Sequence, residues 1–293
     1  MIENLYKEQT DKAGVNKYLL FTSAGDHGNV HRWLRGWKNF DLWITCYSEN
    51  GSHYRDIADY YNYRRGSKFQ NLYYAYHQWR YIFDQYKAIM VMDDDIILDG
   101  SDISRLFEIR EKYELWLLQP AFDPRGKISH AITRVKPFSF IRFTNFVEMT
   151  CPLFRKDKLD IFMRVFDPEL TGYGTDWWFL DSLGDNIEGR VAVVDSITCI
   201  NPHDTEKGNV REIDRHHQSL ADRMKLWEEI KLRYCIRSDE QGYVEYRKIR
   251  NLLNVRNLAH SLKICTILAW RLLSKKYFRS RIHLLRLWIR GNG

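Results

Sequence analysis

The sequence has few features of secreted or membrane-spanning proteins. Its five cysteines are an odd number and none has CxxC spacing, which argues against a disulfide framework or a zinc site and indicates a reducing compartment. The first twelve residues contain no apolar segment, so we expect no signal peptide. No uncharged apolar run reaches the roughly 18 residues that a membrane-spanning helix needs. We therefore expect a cytoplasmic protein.

Acidic residues are missing from the end of the chain, where the last one is Glu245. Residues 247–293 carry twelve Lys and Arg side chains, which leaves a net charge of −5 for residues 1–246 against +7 for the whole chain. The basic character therefore belongs to a C-terminal appendage and not to the main domain.

Short apolar runs alternate with segments that have helical character, and we find no internal repeat. This alternation predicts an α/β fold with a mostly parallel, Rossmann-like sheet and helices on both faces. The predicted strands are Tyr18–Thr22, Asp41–Tyr47, Ala88–Met92, Leu115–Gln119, Phe143–Thr150 and Val191–Val194, and the predicted helices are 68–86, 101–113 with Ser101 or Asp102 as its cap, 157–166 and one that begins at Asp176. We expect the core to end near residue 210 and helices to fill the remainder.

The third predicted strand runs directly into Asp93-Asp94-Asp95. In an open α/β sheet, ligands bind beyond the carboxyl ends of the strands. Three adjacent carboxylates repel one another, so a cation is the natural reason to keep them together. Asp93 and Asp95 project to the same side of an extended backbone, and a site for Mn²⁺ or Mg²⁺ with a diphosphate needs only those two. The alternative is an exposed acidic turn that caps the next helix.

A glycine loop, Gly172-Tyr173-Gly174-Thr175, opens the helix at Asp176. Glycines let a backbone turn tightly and approach a ligand closely. The Asp176 carboxylate could then act as a general base toward an acceptor hydroxyl. Alternatively, Asp176 only caps the helix and interacts favourably with its dipole.

His203 follows Pro202 in a polar segment after the last predicted strand. A neutral imidazole could complete a coordination sphere begun by aspartates elsewhere. A loop histidine can equally be an ordinary surface residue. The pair His216-His217 is a rival, but it lies in a charged helical stretch that we expect to be solvated.

These motifs occur in an order that resembles glycosyltransferases of the GT-A fold. The Gly172–Asp176 loop is similar to the G-W-G-G-E-D segment of the β-galactosyltransferases, and the stretch from His203 to Asn209 is similar to their metal-binding histidine segment. Further segments resemble the glycosyltransferase-like family known as domain of unknown function 707. They are Pro120–Pro124, His130–Thr133, Phe146–Phe154, Gly172–Gly184 and Val193–Asp195.

The resemblance implies a role for each matching residue. Asp93, Asp95 and His203 would hold the metal, and Asp93 and Asp94 would lie at the donor diphosphate. Thr22, Ser23 and Ala24 would face the nucleotide, while Arg65 and Lys68 would meet the base or the phosphates. Asp176 would be the catalytic base of an inverting transfer, with Glu148 near the acceptor. Thr175 stands where the galactosyltransferase loop has Glu, so a retaining mechanism stays open.

Residues 262–290 mix apolar side chains with Lys and Arg, as basic amphipathic helices at anionic membrane surfaces do. The alternative is a helix packed on the domain or on a partner subunit. Nucleic-acid binding is disfavoured, because the charge is confined to a tail with a strong apolar face.

We therefore expect a nucleotide-sugar-binding catalytic domain at 1–210 and a helical region with a basic tail at 211–293. The predicted activity is transfer of a hexose, galactose or glucose, from a UDP-sugar to a glycan acceptor such as a lipid-linked bacterial surface polysaccharide. The protein would be peripheral on the inner face of the cytoplasmic membrane. A catalytically inactive GT-A-like scaffold at the membrane is the alternative.

Overall fold

The computed structural model describes residues 6–7, 16–48, 54–203, 219–237, 242–250 and 255–291, with side chains of the last helix up to residue 274. Ten strands in these ranges form one sheet. They are β1 (Tyr6–Lys7), β2 (Tyr18–Ala24), β3 (Phe40–Cys46), β4 (Tyr60–Tyr63), β5 (Ala88–Val91), β6 (Leu117–Phe122), β7 (Ile141–Thr144), β8 (Leu153–Arg155), β9 (Val191–Cys199) and β10 (Glu245–Ile249). The helices are α1 (Val30–Trp33), α2 (Lys68–Gln78), α3 (Arg80–Phe83), α4 (Gly100–Lys112), α5 (Lys156–Val165), α6 (Thr175–Ser182), α7 (Leu220–Tyr234) and α8 (Val255–Gly291).

The strand order is β1-β4-β3-β2-β5-β8-β6-β9-β7-β10. Strands β4, β3, β2 and β5 are parallel neighbours, and β6 is parallel to β9. Strand β8 lies antiparallel between these two blocks, and β7 and β10 add antiparallel pairs at one side. The predicted α/β class with flanking helices is confirmed, but the sheet is mixed and not mostly parallel.

The central strands are buried on both faces, because helices cover each side. Every residue of β2 and β3 is buried. Helices α1 and α4 pack on one face, and α2, α3, α5, α6 and α7 pack on the other. Two-sided coverage explains why these strands read as continuous apolar runs instead of alternating patterns. All five cysteines are free thiols.

Several predicted boundaries differ from the structure. The predicted helix 68–86 is divided at Trp79, whose φ of −122° and ψ of 41° are not helical. Helix α4 begins at Gly100 with Asp99 as its N-cap, so neither Ser101 nor Asp102 is the cap. The predicted strand 143–150 ends as β7 at Thr144, after which the chain leaves the sheet.

The chain after residue 210 contributes more than helices. Strand β10 pairs with β7 and so extends the same sheet, which corrects the expectation that helices fill this region. The boundary itself, at 210, lies outside the described residues, as do His216-His217 and the segment after His203. Within the described helices, none is long and apolar enough to cross a membrane.

Candidate active site

The acidic motif lies just beyond the carboxyl end of β5, as the sequence predicts. Asp93 is tied to the neighbouring segment by its own N–H, which donates to the Thr150 carbonyl at 2.9 Å. The parallel strand β2 ends beside it, where the Thr22 hydroxyl donates to the Met92 carbonyl at 2.8 Å. This edge of the sheet is the place where open α/β sheets bind ligands.

The carboxylates of the motif have different surroundings. Asp94 Oδ2 accepts hydrogen bonds from the Gly25 N–H at 2.8 Å and from the Tyr47 hydroxyl at 3.2 Å. Asp94 therefore holds the turn that follows β2. The Asp95 carbonyl accepts from Asn29 Nδ2 at 2.7 Å, which fixes the backbone of the same turn. The Asp93 carboxylate instead forms an ion pair with Lys68.

Lys68, in the first turn of α2, is buried and fully engaged. Its Nζ lies 2.7 Å from Asp93 Oδ1 and donates to the carbonyls of Met149 at 2.6 Å and Thr150 at 3.0 Å. An ammonium has three donors, and all three are used here. Lys68 therefore positions Asp93 and the 148–150 segment, and all its donors are used within the protein.

Glu148 lies in that segment with its side chain buried. Its N–H donates to Gln119 Oε1 at 2.6 Å, and its Oε1 accepts from the Thr150 hydroxyl at 2.7 Å, while Oε2 is buried with no hydrogen-bond partner among the described residues. Burial raises the pKa of Glu148 to about 7, and the negative charges of Asp176 and Asp93 add to the rise. A carboxyl group of this kind exchanges protons near neutral pH.

Asp176 lies in the first turn of α6 and is 4% exposed. Its Oδ1 accepts the Trp177 N–H at 3.1 Å. Burial raises the pKa of Asp176 to about 6 in spite of opposing backbone hydrogen bonds and the charge of Lys68. Asp176 is therefore ionised at neutral pH yet close to its titration range, as general-base catalysis requires. The N-cap of α6 is Gly174, so Asp176 is not the cap residue, but it lies in the first turn, where a carboxylate interacts favourably with the helix dipole.

Gly174 is required in the glycine loop by a neighbouring side chain, and not by the close approach of a ligand that the sequence suggests. Gly174 has φ of +93°, and a Cβ there would lie 2.1 Å from the Trp227 indole. The close approach is therefore made by a side chain of α7 and not by a ligand. Because Trp227 also stacks on Trp177, at 6.2 Å between ring centroids, α7 buttresses the start of α6.

His130 and Tyr243 join the site from distant parts of the chain. His130 Nε2 lies 3.9 Å from Asp176 Oδ2, and Nδ1 lies 2.6 Å from the Tyr243 hydroxyl. Burial lowers the pKa of His130, so its ring is neutral at pH 7. If Tyr243 donates to Nδ1, then Nε2 carries the proton and faces Asp176.

Of the remaining predicted donor-binding residues, Thr22, Ser23 and Ala24 are buried at this edge of the sheet, whereas Arg65 is exposed. Thr22 and Ala24 are fully buried, and the Ser23 hydroxyl accepts from Asn71 Nδ2 at 2.9 Å. Arg65 lies in the turn after β4, with its Nε donating to the Tyr63 hydroxyl at 3.1 Å.

The sequence predicts Asp93, Asp95 and His203 as the metal ligands. His203 Nε2 lies 3.1 Å from the Arg125 carbonyl oxygen, and no three His, Cys, Asp or Glu side chains of the described ranges form a metal-binding group. A magnesium-like ion bound with a diphosphate needs only one or two carboxylates, because phosphate oxygens and waters complete its shell. Asp93 and Asp95 stay the predicted carboxylates for such an ion.

Sequence reasoning missed the roles of His130, Tyr243 and Trp227. His130 stands in a segment that resembles a known family, but nothing marked its side chain as part of a site. Tyr243 is 113 residues away from it, in a segment with no motif. The pairing of β10 with β7, together with hydrogen bonds from Asn145 to Gly242 and Val244, brings Tyr243 to the site.

No family model and no curated protein matches the chain. The resemblances to domain of unknown function 707 and to the β-galactosyltransferases therefore stay predictions.

Solved structures do match the fold of this chain. Residues 1–349 of TarS from S. aureus, in complex with UDP-GlcNAc, align with a TM-score of 0.50 and 12% identity over 74% of this chain and 66% of that chain. The chain thus spans slightly less than two thirds of that neighbour.

A second neighbour is the mannosyltransferase PcManGT from Pyrobaculum calidifontis in complex with GDP-Man and Mn²⁺. It aligns with a TM-score of 0.44 and 10% identity, over 90% of this chain and 80% of that chain. At these identities the similarity concerns the fold, and the TarS alignment, which has the higher TM-score, supports it. The chain has an α/β fold of the GT-A-like kind.

Proposed function

We propose that this protein is a glycosyltransferase that moves a hexose, galactose or glucose, from a UDP-sugar to a glycan acceptor. The observation that carries the proposal is the convergence of Asp93, held by buried Lys68, with the buried carboxyl groups of Glu148 and Asp176. These groups meet at the ligand-binding edge of a GT-A-like sheet.

Each carboxyl group would have its own task. Asp176 would take the proton of the acceptor hydroxyl as that oxygen attacks the anomeric carbon and the bond to the diphosphate breaks. Glu148, with the higher pKa, would hydrogen-bond the acceptor and keep its hydroxyl directed at the sugar. Asp93 and Asp95 would hold Mn²⁺ or Mg²⁺, which stabilises negative charge on the departing diphosphate when it is bound.

A base on the acceptor hydroxyl favours inversion at the anomeric carbon. Retention stays open, because Thr175 stands where the β-galactosyltransferase loop has Glu. Proton NMR of the first-formed product distinguishes the two outcomes by its anomeric coupling.

The donor is tested by thermal shift with UDP, UDP-galactose, UDP-glucose, UDP-GlcNAc and GDP-mannose, each with and without Mn²⁺. We expect stabilisation by a UDP compound that depends on the metal and is lost in Asp93→Asn. Asp99→Asn is the matched control, since Asp99 is exposed and makes no side-chain cap hydrogen bond. Absence of stabilisation by every nucleotide would remove the enzyme proposal and leave the scaffold alternative.

The acceptor class is a lipid-linked bacterial surface polysaccharide. Its support is helix α8, where Trp270 is 70% exposed and Leu272 is 71% exposed on a helix rich in basic residues. An exposed apolar face with adjacent cations suits an anionic leaflet. The protein would then act as a peripheral protein on the inner face of the cytoplasmic membrane.

A further inference from the structure

Four rings line one side of the candidate site: His130, Phe146, Trp177 and Tyr243. We name them the aromatic wall. The His130 ring is 4.6 Å from Phe146, 5.9 Å from Trp177 and 5.7 Å from Tyr243, measured between centroids. Tilted and edge-to-face contacts at such distances are favourable for aromatic pairs. The wall therefore has a defined shape.

Tyr243 is the outermost member, and the backbone holds it in place. Asn145 Nδ2 donates to the Gly242 carbonyl at 2.8 Å, and Asn145 Oδ1 accepts from the Val244 N–H at 2.8 Å. The Asn145 N–H also donates to the Val244 carbonyl at 3.1 Å. Three hydrogen bonds thus fix the residues on either side of Tyr243.

Tyr243 nevertheless remains 48% exposed, although its ring contacts Phe146 at 5.0 Å and its hydroxyl is bound by His130. The Tyr243 ring is thus held by Phe146, by His130 and by the fixed backbone on either side. Because it still faces solvent, it is pre-organised for a flat apolar partner. The apolar C–H face of a pyranose ring is such a partner, and rigid aromatic side chains contact it at low entropic cost.

Negative charge beside the aromatic wall indicates that the sugar bound there is uncharged. The carboxyl groups of Asp176 and Glu148 lie close enough to Tyr243 to raise its pKa, after the larger effect of burial. Among the cations nearby, Lys68 is engaged with Asp93 and two carbonyls. An anionic group at this position would be repelled by the Asp176 carboxylate and by Glu148 whenever it is ionised, with no spare donor from that lysine to offset them.

We propose that the aromatic wall is an acceptor subsite that stacks an uncharged pyranose ring on Tyr243 and Trp177 and directs one of its hydroxyl groups at Asp176. The assignment rests on the proposed function, since it identifies the class of sugar that the same site accepts. The proposal concerns only the sugar that reacts, which would be neutral, and allows charged groups in parts of the acceptor farther from the site.

The test is saturation-transfer difference NMR on the full chain without nucleotide. The probes are methyl β-D-glucopyranoside, methyl β-D-galactopyranoside and the anionic methyl β-D-glucuronide. We expect transfer to the ring C–H protons of the neutral glycosides, and a loss of about fivefold in Tyr243→Ser, as an aromatic contact predicts. Tyr81→Ser is the control, because Tyr81 is 66% exposed on α3.

Tyr243→Phe keeps the ring but loses the hydroxyl, so it should retain most of the transfer and guard against a folding defect in Tyr243→Ser. The proposal is overturned if Tyr243→Ser transfers as well as the wild type, if the glucuronide matches the neutral probes, or if no probe receives saturation. Nucleotide stabilisation without sugar contact would reject this subsite alone. Sugar contact without nucleotide stabilisation would reject the proposed function alone.

Discussion

At the scale of single residues, the site is a set of carboxyl groups whose protonation is controlled by burial. Glu148 and Asp176 differ in their surroundings, because Asp176 accepts several backbone hydrogen bonds and Glu148 accepts mainly the Thr150 hydroxyl. Two neighbouring carboxyl groups with different pKa values can divide the tasks of proton acceptor and hydrogen-bonding group.

Glu148→Gln tests the burial of that carboxyl group. Its pKa is raised from 4.5 to about 7 in the folded protein, so its contribution to stability is full below about pH 4.5 and is lost as the pH rises through 7. In the absence of metal, we expect Glu148→Gln to be more stable than the wild type at pH 8 by up to about 3 kcal/mol, with the difference vanishing near pH 4.5.

Urea denaturation at several pH values measures this difference. Glu228→Gln is the control, because the Glu228 side chain is 60% exposed and should show no such pH-dependent gain. A difference between Glu148→Gln and the wild type that stays constant from pH 4.5 to pH 8 would contradict the burial of an ionisable group.

Asp176→Asn separates catalysis from binding. An amide cannot accept the acceptor proton, so we expect nucleotide stabilisation to persist while UDP release falls by about a hundredfold or more. In the wild type, UDP release should decline as the pH falls below about 6, because the base must be ionised. Asp185→Asn, at an exposed position after α6, is the matched control. Unchanged turnover in Asp176→Asn would remove the base assignment.

At the scale of elements, helix α6 is placed by its neighbours more than by its own sequence. Its N-cap, Gly174, has a left-handed backbone and touches Trp227 of α7. The site therefore depends on a helix that lies about fifty residues farther along the chain.

Gly174→Ala tests this contact, with Gly184→Ala as its control. Both glycines have positive φ, +93° and +75°, but a Cβ at 174 would lie 2.1 Å from the Trp227 indole, whereas one at 184 would meet nothing within 4 Å. We expect Gly184→Ala to cost about 1 kcal/mol from backbone strain, and Gly174→Ala to cost about 3 kcal/mol or more, since overpacking adds to that strain.

Thermal and chemical denaturation compare the two variants directly. Equal destabilisation by both would mean that α7 does not pack on the glycine loop.

At the scale of the whole molecule, helix α8 packs on the domain at its start and is proposed to dock to a membrane surface farther along. Its first turns pack on the sheet, where Ile264 is buried against Ala121, Val135 and Val193, and the Ser261 hydroxyl accepts the Phe138 N–H at 3.0 Å. Packing on the domain and docking to a membrane are therefore compatible, because different parts and faces of the helix would serve each.

The double variant Trp270→Ser, Leu273→Ser tests membrane docking. Both side chains are about two thirds or more exposed, so their loss should leave stability unchanged and reduce binding to vesicles containing about one third anionic lipid by roughly tenfold. Vesicle co-sedimentation measures the binding. Leu232→Ser on α7, where Leu232 is 77% exposed, is the control. Full vesicle binding by the double variant would favour a partner subunit instead.

The sequence by itself determined the elements whose signal is local. Buried parallel strands are mostly apolar, so β2, β3 and β5 were recognisable, and with them the carboxyl end where Asp93 lies. Asp176 was recognisable because a glycine loop opens its helix. Strands β4, β8 and β10 were not predicted, because they are short and take their partners from distant parts of the chain.

Only the tertiary structure decided which side chains meet. Lys68 is buried against Asp93 and two carbonyls, which no spacing in the sequence could show. Tyr243 reaches His130 through the pairing of β10 with β7. Position 174 requires glycine because a Cβ there would collide with the Trp227 indole. The physical reason is the same in each case. Periodicity and turn chemistry act over a few residues, whereas burial, pKa values and contacts depend on segments about a hundred residues apart that fold against one another.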